Sequence, residues 1–417
     1  QKSLSASNAT ALSAKSICIS RRNSRNFLIS LMTGTADTNG NPPPHFPSPK
    51  NLLNAGAMNS RQNLISGGPW VDIDLTALCA NYAMIRNEAP SADIAAVVKC
   101  DSYGLGMAPV ARALSQRENC KTFFVVYPEE GAALREALKS PDAAIYVFDG
   151  PHDETVPLFE RYKLTPTLNS LHEAELWKTR MGDAPAGVHI DTGMNRRGAP
   201  MDDVASIAAL KLNIIMAMSH LACASEPSHP KHKLQRDMFT EAAAHFPEAQ
   251  LSLSASGGAL MGKEYHFDLV RPGIALYGGT PFETDDTRIK PVAALRAPVV
   301  QLRNIGPGET VGYGATFTAE APATIATVAL GYGDGFPRAG ANRASAVING
   351  ECAPLIGRVS MDYVTLDVTA FRNPPKVNDI TEFFGPNLPL YEACQNCDRV
   401  AYDMFTGLGG RIDRRYL

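Results

Sequence analysis

The run AVVKCDSYGLG, from Ala96 to Gly106, carries the clearest fold signal in the sequence. An apolar stretch rich in β-branched residues ends at Lys99, and a turn that contains glycine follows it. This pattern predicts a buried strand that presents a lysine at its carboxyl end. The segment Met107–Gln116 then has helical periodicity, so the run opens a strand–helix unit.

The same alternation of apolar strands and helical segments recurs along the following part of the chain. Further helices are predicted at Glu129–Lys139, Ser170–Met181 and Leu234–His245. The predicted strands are Ile94–Lys99, Phe123–Tyr127, Ile145–Asp149, Leu164–Leu168, Gly187–Asp191, Ile214–His220, Leu251–Ser256 and Leu269–Ala275. Strands that alternate with helices imply a parallel sheet, and this number of units predicts an α/β fold of the (β/α)8 TIM-barrel type. A doubly wound open sheet is the competing architecture, and it requires a glycine-rich phosphate turn after its first strand.

Near residue 296 the chain changes to short strand-like runs separated by Gly-Pro-Gly and Asn-Gly turns. The predicted strands of this part are Pro298–Leu302, Ala323–Leu330, Ala344–Ile348, Ala353–Ile356 and Val364–Val368. We therefore predict a barrel over residues 67–295 and a mainly β C-terminal domain over residues 296–417. A strand at Trp70–Leu75 precedes the barrel and is free to pair with the β domain.

Residues 1–66 are predicted to be a disordered extension. Most of this segment is basic, rich in serine and poor in acidic residues, so it has too little apolar surface to offset its ordering entropy. An organelle transit peptide and a bacterial export signal are two interpretations of this composition. The apolar run Phe27–Met32 is short for an export signal, and we favour a dispensable extension upstream of an internal start at Met32 or Met58.

Composition excludes several classes of protein. The formal net charge is −3 and no basic stripe stands out, so the sequence predicts no nucleic-acid partner. No apolar run approaches the ~20 residues of a membrane span. The eight cysteines are scattered, as in the reduced thiols of a cytoplasmic enzyme. Cys394 and Cys397 form a close pair without a second pair or nearby histidines, so we predict a surface pair and no metal site.

The run from Ala96 to Gly106 also resembles the cofactor-lysine motif of the alanine racemase family, in which a tyrosine follows four residues after the lysine. Further segments resemble motifs of that family in the same order: Trp70–Leu75, His189–Arg196, Met218–Ala222, Val270–Ile274, Val311–Ala315 and Gly357–Asp362. The resemblance extends from residue 70 to about residue 415. It implies a barrel that binds pyridoxal 5'-phosphate and is followed by a β domain.

The resemblance implies two catalytic residues. Lys99 holds the cofactor as a Schiff base and serves as acid and base on one face of the substrate Cα. Tyr313 works on the opposite face and comes from the partner subunit of a homodimer. Arg271 faces the pyridine nitrogen, and His220 supports Tyr313 through a hydrogen-bonded chain. Without the resemblance, Lys99 is more typical of a snorkelling lysine at a strand end, and His220 of a satisfied histidine at a strand end.

The resemblance also assigns the ligand contacts. Four positions match contacts to the cofactor phosphate: Tyr103, Ser256 and the backbone amides of Gly273 and Ile274. Arg196 matches the residue that binds the substrate carboxylate, together with the Met361 region of the other subunit. Because arginine does not readily give up a proton, Arg271 restrains electron withdrawal into the ring and favours return of the proton to Cα.

The implied activity is the interconversion of L-alanine and D-alanine, which supplies D-alanine for peptidoglycan. Three departures from the family pattern bear on substrate breadth: His189 replaces a lysine that is often carbamylated, Ala255 replaces an asparagine, and the C-terminal tail lacks a tyrosine that closes the pocket in some members. Histidine cannot take the carbamate, although a neutral imidazole can accept from Arg196. The alternatives are a broad-specificity amino-acid racemase, a decarboxylase of the same fold and a non-enzymatic cofactor-binding barrel.

Overall fold

The structure, a computed structural model, describes residues 67–417. The predicted extension over residues 1–66 lies outside the described residues.

Eight parallel strands form the wall of a barrel. The first is split into β2 (Asp93–Ile94) and β3 (Ala96–Val97). The others are β4 (Thr122–Val125), β5 (Ala144–Val147), β6 (Thr165–Leu168), β7 (Ala186–His189), β8 (Ile214–Met218), β9 (Gln250–Ser252) and β10 (Leu269–Val270). Strands β3 to β9 pair in sequence order, and β10 pairs with β2. A parallel bridge between Ala255 and Arg271 joins the ends of β9 and β10, so the ring closes. The eight predicted strands are confirmed, and the open sheet is wrong.

Helices alternate with these strands around the barrel. They are α1 (Leu75–Glu88), α2 (Met107–Glu118), α3 (Pro128–Leu138), α4 (Val156–Tyr162), α5 (Leu171–Met181), α6 (Val204–Ala209), α7 (Lys231–Ala243) and α8 (Ser256–Met261). Helix α1 begins where Asp74 Oδ1 accepts hydrogen bonds from the amides of Thr76 and Ala77 at 2.8 and 2.9 Å. Because helices cover the outside, both faces of a strand are buried, as in β6 and β7.

The C-terminal part is a mainly antiparallel sheet. Its long strand β11 (Ala293–Ile305) is followed by β12 (Thr310–Val311), β13 (Phe317–Thr318), β14 (Ala323–Val328), β15 (Ser345–Ile348), β16 (Glu351–Pro354), β17 (Val364–Asp367), β18 (Ile380–Phe384), the helices α9 (Leu390–Asn396) and α10 (Ala401–Thr406), and β19 (Asp413–Tyr416). The early strand β1 (Trp70–Ile73) pairs with β11 on one side and β19 on the other. The start of the described chain and its end therefore lie side by side in this sheet.

Two local predictions need correction. The last barrel strand ends at Val270 rather than Ala275, because Pro272 has no amide hydrogen and residues Ile274–Tyr277 turn into a 3-10 helix. The cysteine pair is buried rather than at the surface: Leu390, Ala393 and Cys394 share the inner face of α9, and Cys397 is 1% exposed.

Within residues 67–417, none of the helices is long and apolar enough to cross a membrane. Over the same residues, no cluster of His, Cys, Asp and Glu side chains is arranged to hold a metal ion.

Candidate active site

A single left-handed turn presents Lys99 at the end of the first barrel strand. The next four residues, Cys100 to Tyr103, have φ values between 52° and 57°. This conformation costs about 1–2 kcal/mol for each non-glycine residue. Hydrogen bonds offset the cost: the amides of Ser102 and Gly104 donate to the carbonyls of Val98 and Cys100 at 2.9 and 2.8 Å.

The carboxylate of Glu130, in the first turn of α3, holds this turn against the neighbouring strand. Its Oε1 accepts from the amide of Cys100 at 2.6 Å. Its Oε2 accepts from the amides of Val126 and Tyr127 at 2.8 and 3.2 Å. One side chain therefore ties the backbone next to Lys99 to the end of β4. Glu130 was not predicted as a site residue, since its partner Cys100 lies far away in sequence.

The amine of Lys99 lies in a partly buried, cationic environment. Burial lowers its pKa from the ordinary value, the charge of Arg196 lowers it further, and Glu130 opposes both effects. Its Nζ lies 5.8 Å from the centre of the Phe148 ring. A lysine in these surroundings is more often a neutral amine than an exposed lysine is, and the neutral amine is the form that attacks an aldehyde.

Arg271 follows the last barrel strand and is 1% exposed. Its guanidinium donates to Ser252 Oγ and, at 2.7 Å, to the carbonyl of Ser219. No acidic side chain of residues 67–417 forms an ion pair with it. Burial lowers its pKa to about 9, so the guanidinium still carries its charge at pH 7. The barrel therefore holds a buried cation without a counter-ion.

Two histidines share this rim of the barrel, since His189 ends β7 and His220 comes shortly after β8. Burial first, and then the charge of Arg271, lowers the pKa of each imidazole to about 3. Both rings are therefore neutral at pH 7. Within a single described chain, the hydrogen bonds of Arg271 go to serine groups rather than to His220 or Tyr313.

Three of the predicted phosphate contacts, Ser256, Gly273 and Ile274, follow β9 and β10, and Tyr103 reaches them from the turn after β3. Ser256 Oγ is buried and accepts from the amides of Gly273 and Ala275 at 3.0 and 3.2 Å. The Tyr103 ring packs on Tyr277 with 4.8 Å between ring centres. A Cβ at Gly273 would lie 2.2 Å from Tyr103 Oη, so only glycine lets the backbone approach this closely. Ile274 begins the adjoining 3-10 helix.

Arg196 lies on a tight turn after β7. Asp191 Oδ1 accepts from three consecutive amides of that turn, Gly193 to Asn195, at 2.8 to 3.2 Å. Arg197 forms ion pairs with Asp149 and Glu173. Arg196 pairs with no acidic residue in the described chain, yet its charge acts on Lys99. Arg196 is therefore a cation with which an incoming carboxylate can pair.

A buried polar network joins this turn to His220, and the sequence did not reveal it. Gln235 Nε2 donates to the carbonyl of His220 at 2.9 Å and to Thr192 Oγ1 at 3.3 Å. The hydroxyls of Thr192 and Ser219 are 2.8 Å apart. Gln235 lies in the middle of α7, where only its position on the inner face of the helix distinguishes it from a surface glutamine.

Tyr313 and Met361 lie on loops of the β domain and are 72% and 52% exposed. Within residues 67–417, no hydrogen bond joins either side chain to the barrel residues described above. The structure therefore brings together the predicted residues of the barrel rim. Within one described chain, Tyr313 and Met361 are not joined to these residues by hydrogen bonds.

The sequence of this chain matches two profiles over most of its described length. Residues 73–281 match the alanine racemase N-terminal domain, and residues 292–416 match the alanine racemase C-terminal domain. The chain belongs to the alanine racemase family.

Relatives from this family are similar over nearly their whole length. A catabolic alanine racemase of Agrobacterium fabrum is 39% identical over 369 residues, which cover 86% of this chain and 95% of the relative. An alanine racemase of Cereibacter sphaeroides is 42% identical over 347 residues, which cover 82% and 97%. The crystal structure of alanine racemase from Bartonella henselae, which has covalently bound pyridoxal phosphate, superposes with a TM-score of 0.79 at 33% identity and covers 84% of this chain and 99% of that one.

Proposed function

We propose that this protein is an alanine racemase that interconverts L-alanine and D-alanine with pyridoxal 5'-phosphate. One observation supports this reaction most strongly: a lysine with a lowered pKa and a buried arginine without an acidic partner lie on the same rim of one barrel. The lysine provides the amine for the cofactor, and the arginine provides a cation that keeps its proton.

The residues of the rim fit this cofactor. Lys99 suits the aldehyde, Arg271 suits the ring nitrogen, and the backbone at Gly273 and Ile274 suits a phosphate. Ser256 and Tyr103 border the same position, and the absence of a Cβ at Gly273 leaves room for the Tyr103 hydroxyl. When bound, pyridoxal 5'-phosphate makes the Cα proton of an amino acid acidic by delocalising the charge left on Cα.

Racemisation requires proton donors and acceptors on both faces of Cα, because one group that returns its own proton regenerates the starting enantiomer. Lys99 Nζ moves the proton on one face, and Tyr313 Oη moves it on the other. Since Tyr313 is exposed in a single chain, we propose that it serves the site of a partner subunit in a homodimer. Arg196 binds the substrate carboxylate, and Met361 borders it from the partner.

Arg271 separates this reaction from the decarboxylase alternative. An acidic residue next to the ring nitrogen would be expected in a decarboxylase, since it stabilises a protonated ring. In this chain the residue that would face the ring nitrogen is Arg271, whose guanidinium donates to Ser252 Oγ and to the carbonyl of Ser219. Because this arginine keeps its proton, a cofactor bound beside it would withdraw less charge from Cα, which would favour return of a proton over loss of carbon dioxide.

We also propose that the product serves peptidoglycan synthesis in the cytoplasm. The seven cysteines of the described residues are all free, as in a reducing compartment. A broad-specificity racemase remains the second candidate, because Ala255 and His189 depart from the family pattern at two contacts.

The experiment is solvent-deuterium exchange at Cα with purified protein, cofactor and single enantiomers of alanine, serine, lysine and arginine. Fast exchange with loss of optical activity for alanine alone supports the proposal. Comparable turnover of the larger amino acids identifies a broad-specificity racemase, and no exchange with any of them contradicts both.

A further inference from the structure

A hydrogen-bonded pair of buried side chains joins the ends of β6 and β7 beneath the site. Asn169 Oδ1 and His189 Nδ1 are 3.0 Å apart, and the two residues are 5% and 8% exposed. Both residues come at the carboxyl ends of their strands, where the other site residues lie. At this depth the pairing of donor and acceptor matters, because an unpaired polar group costs about 1–3 kcal/mol.

The surroundings of Asn169 decide which way its amide faces. Its Nδ2 lies 2.7 Å from the carbonyl oxygen of Thr167, 3.1 Å from that of Phe148 and 3.1 Å from Glu173 Oε2. All three partners are acceptors, so the nitrogen must face them. The amide oxygen is therefore the atom that faces His189, and the histidine must donate from Nδ1.

Glu173 keeps this arrangement in place. Its Oε2 also accepts from the backbone amide of Asn169 at 2.7 Å, and its Oε1 pairs with Arg197 at 3.1 Å. A Cβ at Gly150 would lie 1.8 Å from the same carboxylate, so the neighbouring loop leaves space for it. The amide orientation thus depends on a carboxylate that is itself fixed at both oxygens.

A neutral histidine that donates from Nδ1 has a bare Nε2, which acts as an acceptor only. Among residues 67–417, no group donates a hydrogen bond to that nitrogen. Three guanidinium groups lie close enough to lower the pKa of His189: Arg271, Arg196 and Arg197. Arg271 is held by serine groups, and Arg197 by two carboxylates. Arg196 is the cation without a fixed partner.

We propose that Asn169 is a positioning residue that fixes His189 as the Nδ1–H tautomer, so that His189 Nε2 accepts a hydrogen bond from Arg196. A neutral acceptor orients the guanidinium without cancelling its charge, which leaves the full charge for the substrate carboxylate. The role of Arg196 rests on the proposed function, whereas the tautomer of His189 does not.

The tautomer is tested directly by NMR of the holoenzyme labelled with 15N-histidine. The His189 signals are assigned from their loss in His189→Gln. We expect a protonated Nδ1 and a bare Nε2 in the unsubstituted protein, and a mixture of tautomers in Asn169→Leu. A protonated Nε2 in the unsubstituted protein overturns the proposal, whether or not the protein racemises alanine.

The link to Arg196 is tested by kinetics. We expect His189→Leu to raise KM for alanine by about tenfold or more, the loss of one hydrogen bond to a charged group, while kcat changes less. His189→Gln, whose amide oxygen accepts, recovers part of the loss. His172→Leu, on the exposed face of α5, is the matched control and leaves KM unchanged. An unchanged KM in His189→Leu overturns the link, and absence of any racemisation in the unsubstituted protein overturns the proposed function instead.

Discussion

The rim of the barrel and the loops of the β domain both contain predicted site residues, but the side chains of the two regions differ in burial and in their hydrogen bonds. On the rim, Arg271 and Tyr103 are buried and held by named partners. On the loops, Tyr313 and Met361 are mostly exposed and contact none of the rim residues through hydrogen bonds within the described chain. Family motifs mark both regions equally well in the sequence.

This difference indicates that a single chain contains only part of the proposed active site. In the proposed reaction the rim residues hold the cofactor and provide one proton-transfer group, and all of these rim residues come from one chain. The loops contain the phenol of Tyr313, which is mostly exposed in a single chain. Our proposal is that Tyr313 acts in the site of a partner subunit, beside that subunit's arginine and neutral histidines.

Lys99→Ala should have the largest effect of any substitution on the rim. Without the amine the protein loses its covalent cofactor and one proton-transfer group, so we expect racemase activity to fall by about 10⁴-fold. The visible-edge absorbance of the bound cofactor should also disappear. Lys121→Ala, at an exposed position before β4, is the control and should keep both. Near-normal activity in Lys99→Ala contradicts the assignment.

Tyr313→Phe tests the loops in the same way. It removes only a hydroxyl, and we expect a loss of about 10³-fold with bound cofactor retained. Because the phenol serves one face of Cα, deuterium exchange from the two enantiomers should fall unequally. Folding stability should not change, since the side chain is mostly exposed. Equal loss for both enantiomers argues against two separate groups.

Glu130→Ala tests how much the turn after Lys99 contributes to the stability of the rim, because Glu130 is not proposed to contact the substrate. It removes the acceptor of three backbone amides, so we expect the free energy of unfolding to fall by about 2–3 kcal/mol. Urea denaturation measures the loss. Glu129→Ala changes the neighbouring exposed carboxylate and should cost little; equal losses for the two variants show that Glu130 does not hold the turn.

The low pKa values of the buried histidines predict that the free energy of unfolding falls in acid. The pKa of His189 is about 3 when folded, against an unfolded value of about 6.5, so its stabilising contribution is complete above pH 6.5 and is lost as pH falls towards 3. Each such histidine contributes a slope of up to about 1.4 kcal/mol per pH unit in that range. His189→Gln should flatten the pH dependence of the urea midpoint, and an unchanged slope contradicts the assigned pKa.

Asp74→Ala should have the smallest effect and separates general stability from both regions. The side chain caps α1 through two amides, and its loss should cost about 1 kcal/mol with kcat unchanged. Asp74→Asn keeps an acceptor and should recover most of the stability. A large loss of activity in Asp74→Ala shows that capping of α1 affects the site.

The sequence predicted the barrel because its strands are apolar runs of the right length between helical segments. The strand pattern also predicted that residues at the carboxyl ends of the strands meet on one rim, whereas the resemblance to the family implied which of these residues form the site. Lys99, His220 and Arg271 all follow such strands. The domain boundary near residue 296 remains a prediction. In the structure the long strand β11 begins close to it, at Ala293.

Other features depend on contacts that local sequence does not contain. Four consecutive non-glycine residues in a left-handed turn contradict local preference, and Glu130 stabilises them from a different helix. The tautomer of His189 depends on an amide orientation set by Thr167, Phe148 and Glu173. Such features follow from the packing of several strand ends, so the structure was needed to find them.

The most direct test of the shared site is to mix the two inactive variants, Lys99→Ala and Tyr313→Phe. In a mixed dimer one site receives both an intact Lys99 and the intact Tyr313 of its partner. After exchange of subunits we expect racemase activity to return to about a quarter of the unsubstituted level, since half of the dimers are mixed and each contains one complete site. Activity that stays at the level of the separate variants after demonstrated subunit exchange would contradict the claim that Tyr313 completes the site of a partner.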